Sequence, residues 1–250
     1  MPTSGASLRT GGAVTLARRL VAEGLGTALL LAVVVGSGIM ADRLAGGNMA
    51  LALLANAIAT GAGLLALILM FGALSGAHFN PLVTLSEAWQ RNMPLGDVLP
   101  YIAVQLAGAL AGVMAAHAMF ELPLMLASQH TRTGAAQWFS EFVATFGLLG
   151  VIIGCSRSKP AAVPLAVAAY ITAAYWFTSS TSFANPAVTL ARAATNTFAG
   201  IRPQDTPGFI LAQLAGAAAA TLLFGWLYRP ATPGATVAGT VAPADFPQEA

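Results

Sequence analysis

Three short strings recur in the same order in the two halves of this chain. Ala22-Glu23-Gly24-Leu25-Gly26-Thr27 is matched by Ser140-Glu141-Phe142-Val143-Ala144-Thr145. Asn80-Pro81-Leu82-Val83-Thr84-Leu85 is matched by Asn185-Pro186-Ala187-Val188-Thr189-Leu190, and Gln105-Leu106-Ala107-Gly108-Ala109 by Gln213-Leu214-Ala215-Gly216-Ala217. Around these markers lie six long apolar segments, 19–40, 49–71, 99–119, 138–155, 161–181 and 207–228, three to each half. About 20 apolar residues make a membrane-spanning helix, so each half crosses a bilayer three times. An odd number of crossings forces the two copies of a repeat to insert with opposite orientation. Inverted repeats with paired interrupted helices place a solute path at their interface, near the midplane.

Composition supports the bilayer. Only 8% of the 250 residues are charged, 57% are hydrophobic, and mean hydropathy is +0.74. A soluble domain carries about 25% charged residues, so too little charge is present to coat a globular surface in water. The same arithmetic excludes disorder, a coiled coil and nucleic-acid binding. The basic residues are scattered and the net charge is +2, which implies no anionic partner. A single cysteine, Cys155, rules out a disulfide framework and a multi-thiolate metal site.

Residues 1–17 read as a loose tail and 229–250 as a disordered one, leaving 18–228 as a single membrane domain with repeats at about 18–119 and 137–228. The first apolar run is too long for a cleaved signal peptide, and Arg18-Arg19 before it lacks the flanking context of a twin-arginine address. With the amino terminus in the cytoplasm, Arg9, Arg18, Arg19, Arg91, Arg157, Lys159 and Arg229 fall inside, while Arg43, Arg132 and Arg202 fall outside. Cytoplasmic loops carry the excess of Lys and Arg, so both termini are expected there, in a cell (inner) membrane.

Each repeated Asn-Pro is a helix start. Asn is a strong N-cap, and Pro suits the first helical position, where its missing N–H is harmless. The spacing predicts short helices over about 79–89 and 185–195, each too short to span. Entering from opposite faces, the two together complete one membrane thickness. Non-helical backbone at membrane depth is tolerated where it lines a cavity, so carbonyls of Gly76–Phe79 and Ser182–Ala184 and the amides of Asn80 and Asn185 are expected to face a pore. Two positive half-helix ends converge there, each equivalent to about half a charge. Cations and protons are repelled by such a field, and neutral solutes are not.

Ser75-Gly76-Ala77-His78-Phe79-Asn80-Pro81-Leu82 and Asn185-Pro186-Ala187 resemble the paired NPA boxes of the aquaporin, or major intrinsic protein, family. The Glu of segments one and four and the Gln of segments three and six fit as well, so the resemblance covers about 18–228. It implies an all-α membrane protein, a right-handed bundle of six transmembrane helices with two re-entrant half-helices, one pore per subunit and a homotetramer. It also implies that Glu23 and Glu141 support the re-entrant loops by accepting hydrogen bonds, and that backbone at Gly76, Ala77, His78, Phe183 and Ala184 lines the pore.

The first box ends in Leu82 rather than Ala. More important is the selectivity filter, which in this family sits outward of the Asn pair. Matched by spacing without gaps, its four positions fall on Thr60, Ala173, Ser182 and Val188. Water-selective relatives resemble one another in placing an aromatic, a His and an Arg in this ring; here all four residues are small and uncharged. Val188 in place of Arg deletes a fixed charge and a five-donor fork. The resemblance is then to bacterial channels associated with metalloids, including arsenite and methylated arsenicals. A wide, arginine-free filter for small neutral solutes is expected.

Arg192, seven residues after Asn185, lies too far along to take the place of Val188; one turn further out on nearly the same helical face, it either reaches the outer mouth, where it would attract anions, or, as is expected, is a solvated residue at a helix end. His78 is placed at the inner side of the pore. His117, His130 and Cys155 have no partners that would make a metal site, and no cofactor is implied. Two alternatives stand beside this reading: a general water, glycerol and urea facilitator and, of another class, an ion-coupled secondary transporter. Coupling needs an ionisable residue at midplane, and Asp42, Glu87, Asp97 and Glu121 are not placed there. An enzyme lacks any nucleophile–base pair. Partners are therefore the bilayer and small neutral solutes.

Overall fold

A computed structural model of the chain describes residues 14–228; the two tails, with Arg9 and Arg229, otherwise lie outside the described residues. Among the described residues the regular structure is helical, with no strand. Six helical segments are long and apolar enough to cross a membrane: α1 (Leu16–Leu44), α2 (Met49–Ser75), α4 (Val98–Met119) with the turn from Leu95, α5 (Ala135–Ser158), α6 (Val163–Phe177) with the turn from Pro160, and α8 (Thr206–Leu227) with the turn from Pro203. Between them stand two half-helices, α3 (Pro81–Trp89) and α7 (Pro186–Arg192).

Local chemistry sets the ends. Helix α1 begins inside the stretch expected as tail, because the Thr15 hydroxyl accepts from the Arg18 N–H and caps it. Asn48 caps α2 in the same way, 3.1 Å from the Leu51 nitrogen. Helix α6 is shorter than the apolar run predicts. Thr178 turns extended (φ −109°, ψ 141°) and its hydroxyl donates back to the Ala174 carbonyl. Helix α7 also stops early, at Arg192. The carbonyls of Ala193 and Ala194 beyond it accept from the N–H groups of Ser128 and Leu126 in the long outer loop, which fixes the chain there in a non-helical path.

The repeat is visible in the packing. Helix α1 lies along α4, and α5 lies along α8 in the same manner. A Cβ on Gly108 would strike the Gly24 carbonyl, and one on Gly216 would strike the Phe142 carbonyl, so each close approach depends on glycine. Large apolar side chains such as Leu54, Leu69, Leu211 and Trp226 cover the exterior. Polar ties gather at the two ends of the bundle. Arg19 pairs with Asp97 at 2.8 Å and Arg157 donates to Gln90 and to the Tyr228 carbonyl at one end. Arg43 bonds the Phe120 carbonyl, and Arg202 pairs with Asp205, at the other.

Candidate functional site

The two loops that lead into α3 and α7 follow one unusual backbone path. Gly76, Ala77 and Phe79 have φ of 89°, 50° and 49°; Thr181, Ser182 and Ala184, at the equivalent places, have 63°, 51° and 49°. Five of these six are not glycine, and the left-handed region costs such residues about 1–3 kcal/mol each. A buried carboxylate holds each loop in place. Glu23 Oε1 accepts from the Ser75 hydroxyl (2.6 Å) and the His78 N–H (2.9 Å), and Oε2 from the Phe79 N–H (2.8 Å) and Gln105 Nε2 (2.8 Å). Glu141 repeats the set with Ser180 (2.6 Å), Phe183 N–H (2.9 Å), Ala184 N–H (2.9 Å) and Gln213 Nε2 (2.6 Å). Both glutamates are fully buried. Gln105 and Gln213 also reach Thr84 and Thr189 on the half-helices, at 3.0 and 2.9 Å.

The half-helices meet at their amino ends. Asn80 Oδ1 accepts from the Leu82 N–H, and Asn185 Oδ1 from those of Ala187 and Val188, so Pro81 and Pro186 each open a capped helix. Asn80 Nδ2 donates to the Ala184 carbonyl and Asn185 Nδ2 to the Phe79 carbonyl, each at 2.8 Å. Each amide thereby ties its own helix start to the opposite loop. A carboxamide nitrogen has two N–H donors, so one remains on each Asn for whatever passes.

Both asparagines border a cavity of about 230 Å³. One wall is polar, formed by Gly76, Ala77, His78, Phe79 and Ala184 with the two amides; the other is apolar, with Leu30, Val34, Leu64, Leu148 and Ile171 among its residues. Glu87 and Ser156 border it at one end. At the other it is bordered by Thr60, Tyr175, Phe183 and Val188. The Tyr175 hydroxyl donates to Thr60 Oγ1 at 3.2 Å, joining two sides of this ring.

This ring differs from the one read by spacing. Thr60 and Val188 border the cavity, but Ala173 is on the exposed outer face of α6. The cavity face of α6 is the stripe Val163, Val167, Ile171 and Tyr175, one turn apart. Ala173 is two residues from Ile171, roughly 200° round the helix. Ser182 is buried with an unpartnered hydroxyl and does not border the cavity; its neighbour Phe183 does. Two aromatic residues therefore border an end of the cavity expected to have none. The signal for Tyr175 was the four-residue periodicity of α6, which counting back from Asn185 ignores.

Arg192 is not solvated. It is 2% exposed, its Nε donates to the Ala199 carbonyl, and its guanidinium carbon lies 3.4 Å from the centroid of the Phe183 ring. Arg132 stands 5.2 Å from the same ring and bonds the carbonyls of Gly200, Ser180 and Phe198. Its bond to Ser180 replaces one in the other repeat, where the Tyr101 hydroxyl donates to the Ser75 carbonyl. The residue equivalent to Tyr101 is Phe209, which has no hydroxyl and packs on Phe183 as Tyr101 packs on His78. His78 borders the cavity and its Nδ1 is 3.1 Å from the Thr84 hydroxyl. Among the described residues no cluster of His, Cys, Asp and Glu could hold a metal ion.

The model of the family described as Major intrinsic protein matches residues 12–163, more than half of the chain. The chain belongs to the major intrinsic protein family. It is 57% identical over 218 residues to Aquaglyceroporin AqpS of Rhizobium meliloti (strain 1021), covering 87% of this chain and 93% of that one. It is 32% identical over 156 residues to Aquaporin NIP3-1 of Oryza sativa subsp. japonica, where 61% of this chain spans about half (49%) of the relative. The aquaglyceroporin from Plasmodium falciparum has the same fold in its X-ray structure, with a TM-score of 0.63 at 21% identity over 86% of this chain and 96% of that one. The protein is thus a multi-pass membrane channel for small solutes and not an enzyme.

Proposed function

We propose that this channel conducts small uncharged polar solutes, with metalloid hydroxides such as arsenite, methylated arsenicals and polyols such as glycerol as its substrate class. The observation that carries the reading is the ring of Thr60, Tyr175, Phe183 and Val188. Its hydroxyls lie on one side, apolar surface lies on the other, and no charge stands at position 188. A compact solute with hydroxyls on one edge and a less polar face matches such a wall. The name of the Rhizobium relative, an aquaglyceroporin, favours glycerol. A tyrosine in this ring makes the aperture narrower than four small residues would, which selects compact polyols over bulky ones. Flux is passive: the acidic residue bordering the cavity, Glu87, is at its inner mouth rather than at midplane.

The loop-supporting role of Glu23 and Glu141 and the pore roles of Asn80-Pro81-Leu82 and Asn185-Pro186-Ala187 belong to the same reading, as do a homotetramer in a cell (inner) membrane and cytoplasmic termini. The deciding experiment compares uptake of water, glycerol, urea, arsenite and methylated arsenicals by the wild type and by Val188→Arg in proteoliposomes. Arginine at 188 fills the apolar side of the ring and is expected to cut glycerol and arsenical flux at least tenfold while water flux persists. Equal loss of every solute, or no loss, would refute it.

A further inference from the structure

We propose that Arg192 is the charge that excludes cations at the outer end of this pore, acting one helical turn beyond Val188. The proposal builds on the solute-pore reading above. Three observations place the side chain there. Arg192 follows Val188 by four residues on α7, and residues so spaced share a helix face; Val188 borders the cavity. Glu87, seven residues after Asn80 as Arg192 is seven after Asn185, borders the cavity at the inner mouth. The repeat relation carries that place onto the outer mouth. Finally, the guanidinium carbon lies 3.4 Å from the centroid of the ring of Phe183, a residue that borders the cavity.

The charge is held where it cannot swing away. Arg192 is buried, and the loop carbonyl of Ala199 takes its Nε–H. Among the described residues the ion pairs are Arg19–Asp97 and Arg202–Asp205, so no carboxylate pairs with Arg192. A buried unpaired charge is costly, and an apolar side chain would pack on Phe183 at less cost. Arg132 adds a second positive charge on the same ring, fixed by three carbonyls. The carboxylate that acts on both is Glu141, whose oxygens already accept four hydrogen bonds. Two positive charges against one negative leave the outer end positive. A cation passing about 6 Å from one guanidinium, at an effective dielectric of about 20, is disfavoured roughly a hundredfold.

The test is K⁺ flux and glycerol flux in proteoliposomes of the full chain, for wild type, Arg192→Gln, Arg192→Lys and the double variant Val188→Arg with Arg192→Gln. The ratio of K⁺ to glycerol flux is expected to rise at least tenfold in Arg192→Gln and to stay near wild type in Arg192→Lys; in the double variant, where Val188→Arg itself lowers glycerol flux, the K⁺ flux alone is read and is expected to fall back to the wild-type level. An inserted Arg192→Gln with an unchanged ratio overturns the proposal, as does an equal rise in Arg192→Lys, which would mark a packing role. Should Arg192→Gln fail to insert, Arg132→Gln is read in the same assay: a severalfold rise supports the charge barrier and an unchanged ratio overturns it. If the wild type passes no glycerol, the permeant proposed above is wrong, and K⁺ flux compared among the variants still decides the role of Arg192.

Discussion

At the scale of single residues, the pore depends on groups that never touch a solute. Glu141 sits in the bundle with four donors on two oxygens, two of them backbone N–H groups of a loop in left-handed conformation. Without an acceptor those N–H groups are buried and unpaired, at about 1–3 kcal/mol each. Glu141→Gln puts an amide NH₂ where an acceptor is needed. It is expected to destabilise the channel by about 2–4 kcal/mol, read as a lower melting temperature in detergent and a smaller inserted fraction. Glu23→Gln should match it, since the two sites are copies; a channel indifferent to either change would mean the loops hold themselves. Tyr175 makes the opposite kind of contribution, at the solute. Removing its hydroxyl in Tyr175→Phe leaves the ring width almost unaltered and takes one polar contact from a passing polyol. One hydrogen bond is worth about 1 kcal/mol, so glycerol flux should fall about fivefold with little change in stability. An unchanged glycerol rate in Tyr175→Phe would show that the constriction lies elsewhere.

At the scale of elements, the repeat does most of the construction, and it was legible in the residues. Asn-Pro twice, Glu twice and Gln twice, in one order, are enough to place two capped half-helices between two sets of three spans. What could not be read was register. Position 173 came from counting back from Asn185, but the α6–α7 connection begins at Thr178, and only helix periodicity tells which face of α6 meets the cavity. Arg192 escaped for a different reason. A polar residue at a helix end reads as solvated unless the loop that covers it is known, and here the carbonyl of Ala199, seven residues on, folds back over it. Position 132 gave no local signal at all, being one arginine in a polar loop. The helix crossings, by contrast, follow from small residues. Gly216 allows α8 to touch the Phe142 carbonyl of α5, and Gly108 allows α4 to touch that of Gly24 in α1. Adding a methyl group where backbone is the obstacle forces whole helices apart. Gly216→Ala is expected to cost about 1–3 kcal/mol, the range for overpacking, whereas Gly225→Ala on the same helix, with nothing within 4 Å, should cost nothing measurable. The pair of melting temperatures checks the argument with its own control.

At the scale of the whole molecule, the inverted repeat makes the two ends alike in shape and opposite in charge. Seven residues after each asparagine stands Glu87 at one mouth and Arg192 at the other. Which solution each end faces follows from the remaining cations. Arg18, Arg19, Arg91, Arg157 and Lys159 lie at the ends of α1, α3 and α5 that share one side, with Arg43, Arg132 and Arg202 on the other. The excess of basic residues marks the cytoplasmic side, so five against three makes the cytoplasm the expected side of the Glu87 mouth. Cys155, the single cysteine, lies three residues before the end of α5 on that same side and is partly exposed. A membrane-impermeant maleimide added to intact cells should therefore leave wild-type Cys155 unlabelled until the membrane is opened. In a Cys155→Ser background, Gln204→Cys, exposed at the opposite end, should label at once. The reverse pattern would invert the channel and turn Arg192 to the cytoplasm. In the expected orientation, a cation arriving from outside meets the two guanidiniums before the asparagines, so the proposed exclusion acts before the cation reaches Thr60 and Tyr175. The neutral solutes proposed as permeants are expected to pass both mouths in either direction, down their gradient.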